Sequence, residues 1–287
     1  MSHPASPITH VSDTAHWVAF YRALESERPD AHFRDPFARR LAGEQGEAIV
    51  RAMPNGRSMS WPMVVRTTVM DEIILRLIER DGVQVVLNLA AGLDARPYRM
   101  PLPASLRWIE VDLPAMIAYK RGVLANERPV CALESVELDL ANVEARRQLF
   151  ARAGAMGRAL VITEGLLIYL TPENVGALAD DLHAVPSFES WLTDLASPAL
   201  LKMMAKGWGR RVAAGGAPFL FAPAEGTRFF EPHGWRESGF RSLLHEAQRL
   251  ERTPPMAWVW KLAGAFASPA RREAISRFSG VVLLQRT

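Results

Sequence analysis

The hydrophobic period of this chain changes near residue 83, and that change constrains the fold more than any other feature. Upstream, Val65, Val69, Ile73, Ile74, Leu77 and Ile78 recur at helical spacing and stop at Asp81-Gly82. Downstream, short β-rich apolar runs begin: Val83 to Leu89, Leu106 to Val111, Cys131 to Leu138, Ala159 to Thr163 and Phe188 to Leu195. Helical patterns at Pro114 to Leu124, Asn142 to Ala153 and Pro172 to His183 separate most of them. Buried strands alternating with helices predict βαβ units on a mostly parallel sheet, an α/β fold. Phe240 to Ala247 and Val281 to Leu284 are expected as a terminal antiparallel pair, joined by a helical run through Trp258, Trp260, Ala263 and Phe266. Ahead of the sheet, one helix is expected after Ser12 or Asp13, and a short one from Asp35-Pro36 through Ala42, closed by Gly43. Pro54-Asn55-Gly56 reads as a turn. The organisation expected is an N-terminal helical cover over 1–60, a binding core over 61–195, a helical lid insertion over 196–234 and completion of the sheet over 235–287.

The bulk chemistry narrows the function. With 49% apolar residues, 34 basic against 31 acidic side chains and a net charge of +3, the chain can fill a large core. It lacks the concentrated basic patch of a nucleic-acid binder, since Arg39-Arg40, Arg146-Arg147, Arg210-Arg211 and Arg271-Arg272 are scattered. Cys131 is the single cysteine, which fits a reducing compartment. No apolar run reaches the roughly 18 residues of a membrane span, and the start lacks a signal-peptide pattern, so no stable membrane insertion and a cytoplasmic location are expected. No HExxH, CxxC or GxSxG grouping is present, so neither a metal nor a serine hydrolase is predicted.

The first strand ends in Asn88-Leu89-Ala90-Ala91-Gly92-Leu93-Asp94, a small-residue turn at the carboxyl tip where doubly wound sheets hold ligands. It has one glycine rather than the three of a dinucleotide fingerprint, and a carboxylate at Asp94 would repel a diphosphate. Both features argue against NAD or FAD and for an adenosine-containing ligand without phosphate, a requirement S-adenosylmethionine meets. Glu110 and Asp112 close the second strand, where a carboxylate can accept from a ribose diol. Asp139 follows the third, in reach of an adenine amino group, and Glu164 ends the fourth.

Together these residues resemble the leucine carboxyl methyltransferase family of class I S-adenosylmethionine-dependent methyltransferases, and more closely its bacterial branch, which includes polyketide O-methyltransferases. The matching pieces are DPFARRLAG (Asp35 to Gly43), RTTVMD (Arg66 to Asp71), NLAAGLDARPYRM (Asn88 to Met100), EVDLPAMIAYK (Glu110 to Lys120), LDLAN (Leu138 to Asn142) and EGLLIYLTPENV (Glu164 to Val175). The resemblance implies the class I Rossmann-like sheet with N-terminal helices and a helical lid. It also implies that Arg66 binds the cofactor's carboxylate, that Gly92 lies beneath its methionine part with Ala90 also at the cofactor, and that Asp112 rather than Glu110 holds the ribose. Asp139 and Leu140 would contact adenine, Glu164 would be a pocket carboxylate, and Tyr169 would stand where the substrate chamber begins. Ala91 departs from the family's glycine-alanine-glycine turn and Ala95 from its common threonine, the second change removing a hydroxyl from the helix start.

The reaction expected is in-line methyl transfer to the carboxylate of a small, partly apolar organic acid, leaving S-adenosylhomocysteine. A carboxylate is already ionised near neutrality and needs no base, whereas a phenol with a pKa near 10 would call for one. Tyr169 and His233 are the catalytic candidates, with His183 weaker, and Arg40 could pair with a substrate acid. Trp208, Phe219, Phe221 and Trp235 are expected as a water-excluding wall. Phenolic or hydroxyl O-methylation, and a non-catalytic adenosyl-ligand-binding protein, are the alternative readings.

Overall fold

Seven strands form one sheet in the order β3-β2-β1-β4-β5-β7-β6 in the computed structural model, which describes residues 10, 12–53, 55–206, 218–253 and 268–287. The strands are β1 (Val85–Leu89), β2 (Arg107–Asp112), β3 (Ala132–Glu137), β4 (Ala159–Thr163), β5 (Phe188–Ala196), β6 (Trp235–Ser242) and β7 (Ser279–Arg286). The first five pair in parallel, and β7 runs antiparallel between β5 and β6. The strand order reverses at β1, so the tips of β1 and β4 open a crevice at the carboxyl edge.

The central strands are apolar throughout because both faces are covered. Along β1, Val85, Leu87 and Leu89 pack with Leu149, Phe150 and Leu178 from the helices α6 (Val143–Gly154) and α7 (Pro172–His183). Val86 points the other way, into a core with Val69, Ile73 and Leu77 of α3 (Trp61–Arg80). β4 divides identically, Ala159 and Val161 to one side, Leu160 and Ile162 to the other. Trp191 is fully buried and donates its indole N–H to Thr163 Oγ1 at 2.8 Å, so truncating it to Ala costs about 3–5 kcal/mol.

Three helix starts carry local start signals. Asn142 caps α6 by accepting from Ala145 N, Thr171 caps α7 by accepting from Asn174 N, and Pro114 opens α5 (Pro114–Val123), which follows the one-turn α4 (Arg96–Arg99). The helices α1 (Asp13–Ser26) and α2 (Ala38–Ala52) pack together over the turn after β1 through Trp17, Phe20, Leu41 and Leu93. Gly43, with φ 58°, interrupts α2 where closure was expected, but the helix resumes and runs to Ala52. Asn55, also left-handed at φ 56°, turns the chain into α3.

One further expectation needs correction. The penultimate strand is Trp235–Ser242, not Phe240–Ala247: residues Leu243–Arg249 are helical, and Leu243 and Ala247 pack against α3 residues, as a helix face does. The helical run expected through Trp258 and Phe266 lies outside the described residues, as does Trp208. On either side of residues 207–217, the inserted region is helical in α8 (Pro198–Lys206) and in the 3-10 turns Gly226–His233.

Candidate active site

A cavity of about 1340 Å³ opens at the tips of β1, β2, β4 and β5. That exceeds the roughly 300–1000 Å³ of a pocket for one drug-sized ligand, so two molecules can share it. Arg66, Ala90, Gly92, Asp112, Asp139, Leu140, Glu164, Tyr169 and Phe219 all line it. Residues separated by up to half the chain therefore meet in one place.

The floor is the turn after β1. Ala90 and Gly92 both take positive φ, 53° and 51°, which swings the backbone under the cavity. Gly92 N–H donates to Asp112 Oδ2 at 2.6 Å, and Leu113 N–H donates to Oδ1 at 2.7 Å. Burial raises the Asp112 carboxyl above its ordinary pKa, and these two backbone donors only partly counter it. Glu110, the other acid of this strand, is buried away from the cavity in an ion pair with Lys120 and accepts from Ser135 Oγ. Geometry thus sets the two carboxylates apart, Asp112 at the cavity and Glu110 behind it. At the end of β3, Asp139 is fixed by accepting from Ala141 N at 2.9 Å, and Leu140 O accepts from Arg146.

The opposite wall is a chain of buried charges. Arg66 donates from Nε to Glu164 Oε1 at 3.0 Å and from Nη1 to Asp194 Oδ2 at 3.2 Å. Arg96, 2% exposed, donates to Asp71, Asp94 and Glu164 at 2.6–2.9 Å. Burial alone would raise the Glu164 carboxyl, but Arg96 and Arg66 override it and hold the group below its usual range. For Asp94 the same contest, won by Arg96, Lys120, Arg99 and Arg22, leaves a pKa lowered to about 2. Asp94 is therefore an arginine partner, bonded also to Asn88 Nδ2. Behind it, Arg22 of α1 donates to Asp35 and to the Leu93 carbonyl, clamping the helical cover onto the turn.

Asp194 escaped the sequence reading, although the rule that found Glu164 applies to it: it is an acid near the tip of the next strand. Its Oδ1 accepts from Gly165 N at 2.6 Å and its side chain borders the cavity. Gly165 has φ 67°, and a Cβ there would sit 3.2 Å from Arg66 Nη1, so glycine lets the arginine pass.

Four expected residues stand elsewhere. Arg40 is half-exposed on the outer surface and pairs with Glu127 at 2.5 Å. His233 turns outward to Asp180, with Nδ1 to Oδ1 at 2.7 Å. Phe221 and Trp235 are core residues in edge-on contact with Phe230 and Trp191, respectively, because an aromatic ring satisfies a core as readily as a chamber wall. Of the described residues of the expected wall, Phe219 remains at the cavity, its ring 5.6 Å from that of Tyr169. Burial raises the Tyr169 phenol, which keeps it neutral and a hydrogen-bond donor.

The residues suit an adenosyl ligand on two further counts. Each Asp112 oxygen keeps a lone pair beyond its backbone bond, enough for a diol. Two buried polar atoms on lining residues, Arg96 Nη2 and Thr67 Oγ1, have no partner among the described residues. Among those residues no cluster of His, Cys, Asp or Glu could hold a metal ion, and no helix is long and apolar enough to cross a membrane.

Comparison with known proteins agrees with this geometry. A Streptomyces coelicolor protein, provisionally named an S-adenosyl-L-methionine-dependent methyltransferase, is 34% identical over 245 residues, 78% of this chain and 83% of its own. A Streptomyces avermitilis protein with the same provisional name is 31% identical over 84% of this chain and 89% of its own. Among solved structures, a DUF574 family protein from S. avermitilis superposes with a TM-score of 0.59 at 17% identity, covering 96% of this chain and 97% of its own, and so shares the fold. The sequence profile described as leucine carboxyl methyltransferase matches residues 15–183. The chain belongs to the leucine carboxyl methyltransferase family and is an S-adenosylmethionine-dependent methyltransferase.

Proposed function

We propose that this methyltransferase acts on a small, largely apolar organic molecule and methylates a hydroxyl oxygen, phenolic or enolic. The observation that carries the reading is the pairing of Arg66 with two carboxylates, Glu164 and Asp194, at the wall of the cavity. A carboxylate acceptor set beside Asp194 would face that anion with Arg66 already shared among Glu164, Asp194 and the cofactor's own carboxylate. A hydroxyl would find an acceptor in Asp194.

Cofactor roles follow the resemblance. Arg66 Nη2, beyond the Nε and Nη1 bonds to Glu164 and Asp194 and without a hydrogen bond among the described residues, is the donor for the cofactor's carboxylate. Asp112 takes the ribose diol, the Ala90–Gly92 turn passes beneath the methionine part, and Asp139 with Leu140 bounds the adenine. The bound cofactor supplies a methyl group on a sulfonium. Asp194 would accept the proton of the acceptor hydroxyl and release it to water as that oxygen is methylated. Tyr169 and Phe219 exclude water from the acceptor and hold its ring or chain in line.

Carboxyl methylation is the second reading, favoured by the description of the matching family. Product chemistry separates the two: an aryl methyl ether survives mild alkali, and a methyl ester is hydrolysed. Incubation with methyl-labelled cofactor and a panel of phenols and carboxylic acids should give alkali-stable label. Label lost as methanol would overturn the hydroxyl reading.

A further inference from the structure

The outer part of the same cavity is walled by two helices. The helix Pro269–Ser276 turns Arg271, Ala274 and Ile275 toward it, spaced i, i+3 and i+4, with Phe278 continuing the face. From α8 come Leu200 and Met203, the latter 54% exposed. Apolar side chains left open at a cavity mouth gain free energy when a ligand covers them.

Arg271 is the polar exception on this face. Of the arginines lining the cavity, Arg22, Arg66, Arg96 and Arg146 are each paired with carboxylates of this chain. Arg271 is exposed and its guanidinium has no ion pair among the described residues. The remaining positions, 1–9, 11, 54, 207–217 and 254–267, contain no Asp or Glu, so they supply no carboxylate either. An unneutralised guanidinium beside an apolar slot matches an amphipathic anion.

We propose that Arg271 is a specificity residue that binds a carboxylate at the far end of the acceptor, so that the natural substrate is a hydroxy acid with an apolar body. This rests on reading the site as a hydroxyl-methylating cavity. The hydroxyl then lies against Asp194 and Tyr169, the body runs along Met203 and Ile275, and the acid stays at the rim in partial contact with water. The acid is a handle and is not methylated.

The test uses para-hydroxyphenylbutanoic acid and its primary amide as matched acceptors. The intact protein should favour the acid, and Arg271→Ala should raise KM for the acid about tenfold, bringing the acid-to-amide ratio near one. Arg271→Lys should restore part of the preference, and raised salt should weaken it. Calorimetric binding of the acid to the protein loaded with S-adenosylhomocysteine gives a readout independent of turnover. Equal losses for acid and amide in Arg271→Ala, or unaltered binding of the acid, would overturn the proposal. An ester product would overturn it as well, since the carboxylate would then sit at the reaction centre. Failure of the parent protein to methylate any phenol, with acid binding still dependent on Arg271, would instead sink the hydroxyl reading.

Discussion

Gly92 donates its backbone N–H to Asp112 Oδ2 across 2.6 Å, so the carboxylate proposed to hold the ribose also ties the end of β2 to the turn after β1. One side chain shapes the floor and presents the ligand oxygens. Replacing Asp112 by Ala should remove both, and loss of hydrogen bonds to a charged acceptor is worth about 1.5–3 kcal/mol. We expect S-adenosylmethionine to bind about ten- to a hundredfold more weakly, measured by calorimetry. Unaltered affinity would remove Asp112 from the ribose site.

Ala90 holds φ 53°, a left-handed conformation that costs an alanine about 1–2 kcal/mol. Glycine adopts it freely but loses more freedom on folding. Ala90→Gly should therefore stabilise the ligand-free protein by about 0.5–1 kcal/mol, seen as a melting temperature higher by about 2 °C. A lower melting temperature would mean that packing of the Ala90 methyl outweighs its backbone strain.

The sheet was legible because parallel strands covered on both faces read as unbroken apolar runs, as Val85 to Leu89 and Ala159 to Thr163 do. β6 was displaced because it is an edge strand. Trp235-Arg236-Glu237-Ser238-Gly239 carries few apolar residues, and the Leu243-Leu244 pair drew the pattern downstream into a helix. That Asp112, Asp139 and Glu164 would meet at one crevice was legible from their places at strand tips. Asp194 was passed over because β5 continues two residues beyond it. The acceptor side was not legible, since the aromatic run from Phe219 to Trp235 divides between cavity and core and composition cannot say which ring goes where. Arg271 is one of several scattered basic pairs in the sequence, and only the folded chain sets it at the cavity mouth.

Acid should unfold the protein partly through Asp94. Its folded pKa is about 2 against an ordinary 3.8, and a carboxyl lowered on folding stabilises the folded state above its unfolded value. That contribution, about 2 kcal/mol, is lost as pH falls from about 4 to about 2. Glu164, also lowered, adds in the same direction. Asp94→Asn should flatten the acid limb of a stability-against-pH curve followed by urea unfolding. Arg96→Met should be harsher, leaving Asp71, Asp94 and Glu164 without their shared cation and costing about 3–5 kcal/mol.

His233 and Asp194 divide the question of a base. His233 meets Asp180 outside the cavity, in a pair whose Asp180 side chain is 62% exposed, and such surface pairs are worth about 0–1 kcal/mol. His233→Ala should leave the pH dependence of methyl transfer unaltered. Asp194→Asn keeps the size of the side chain but removes the stronger acceptor beside Arg66, and should lower kcat for a phenol at least tenfold. The two variants, assayed against pH with the same phenol, give opposite expectations. A shifted profile in His233→Ala would return the base to the 226–234 turn, whereas full activity in Asp194→Asn would leave the acceptor proton to solvent alone.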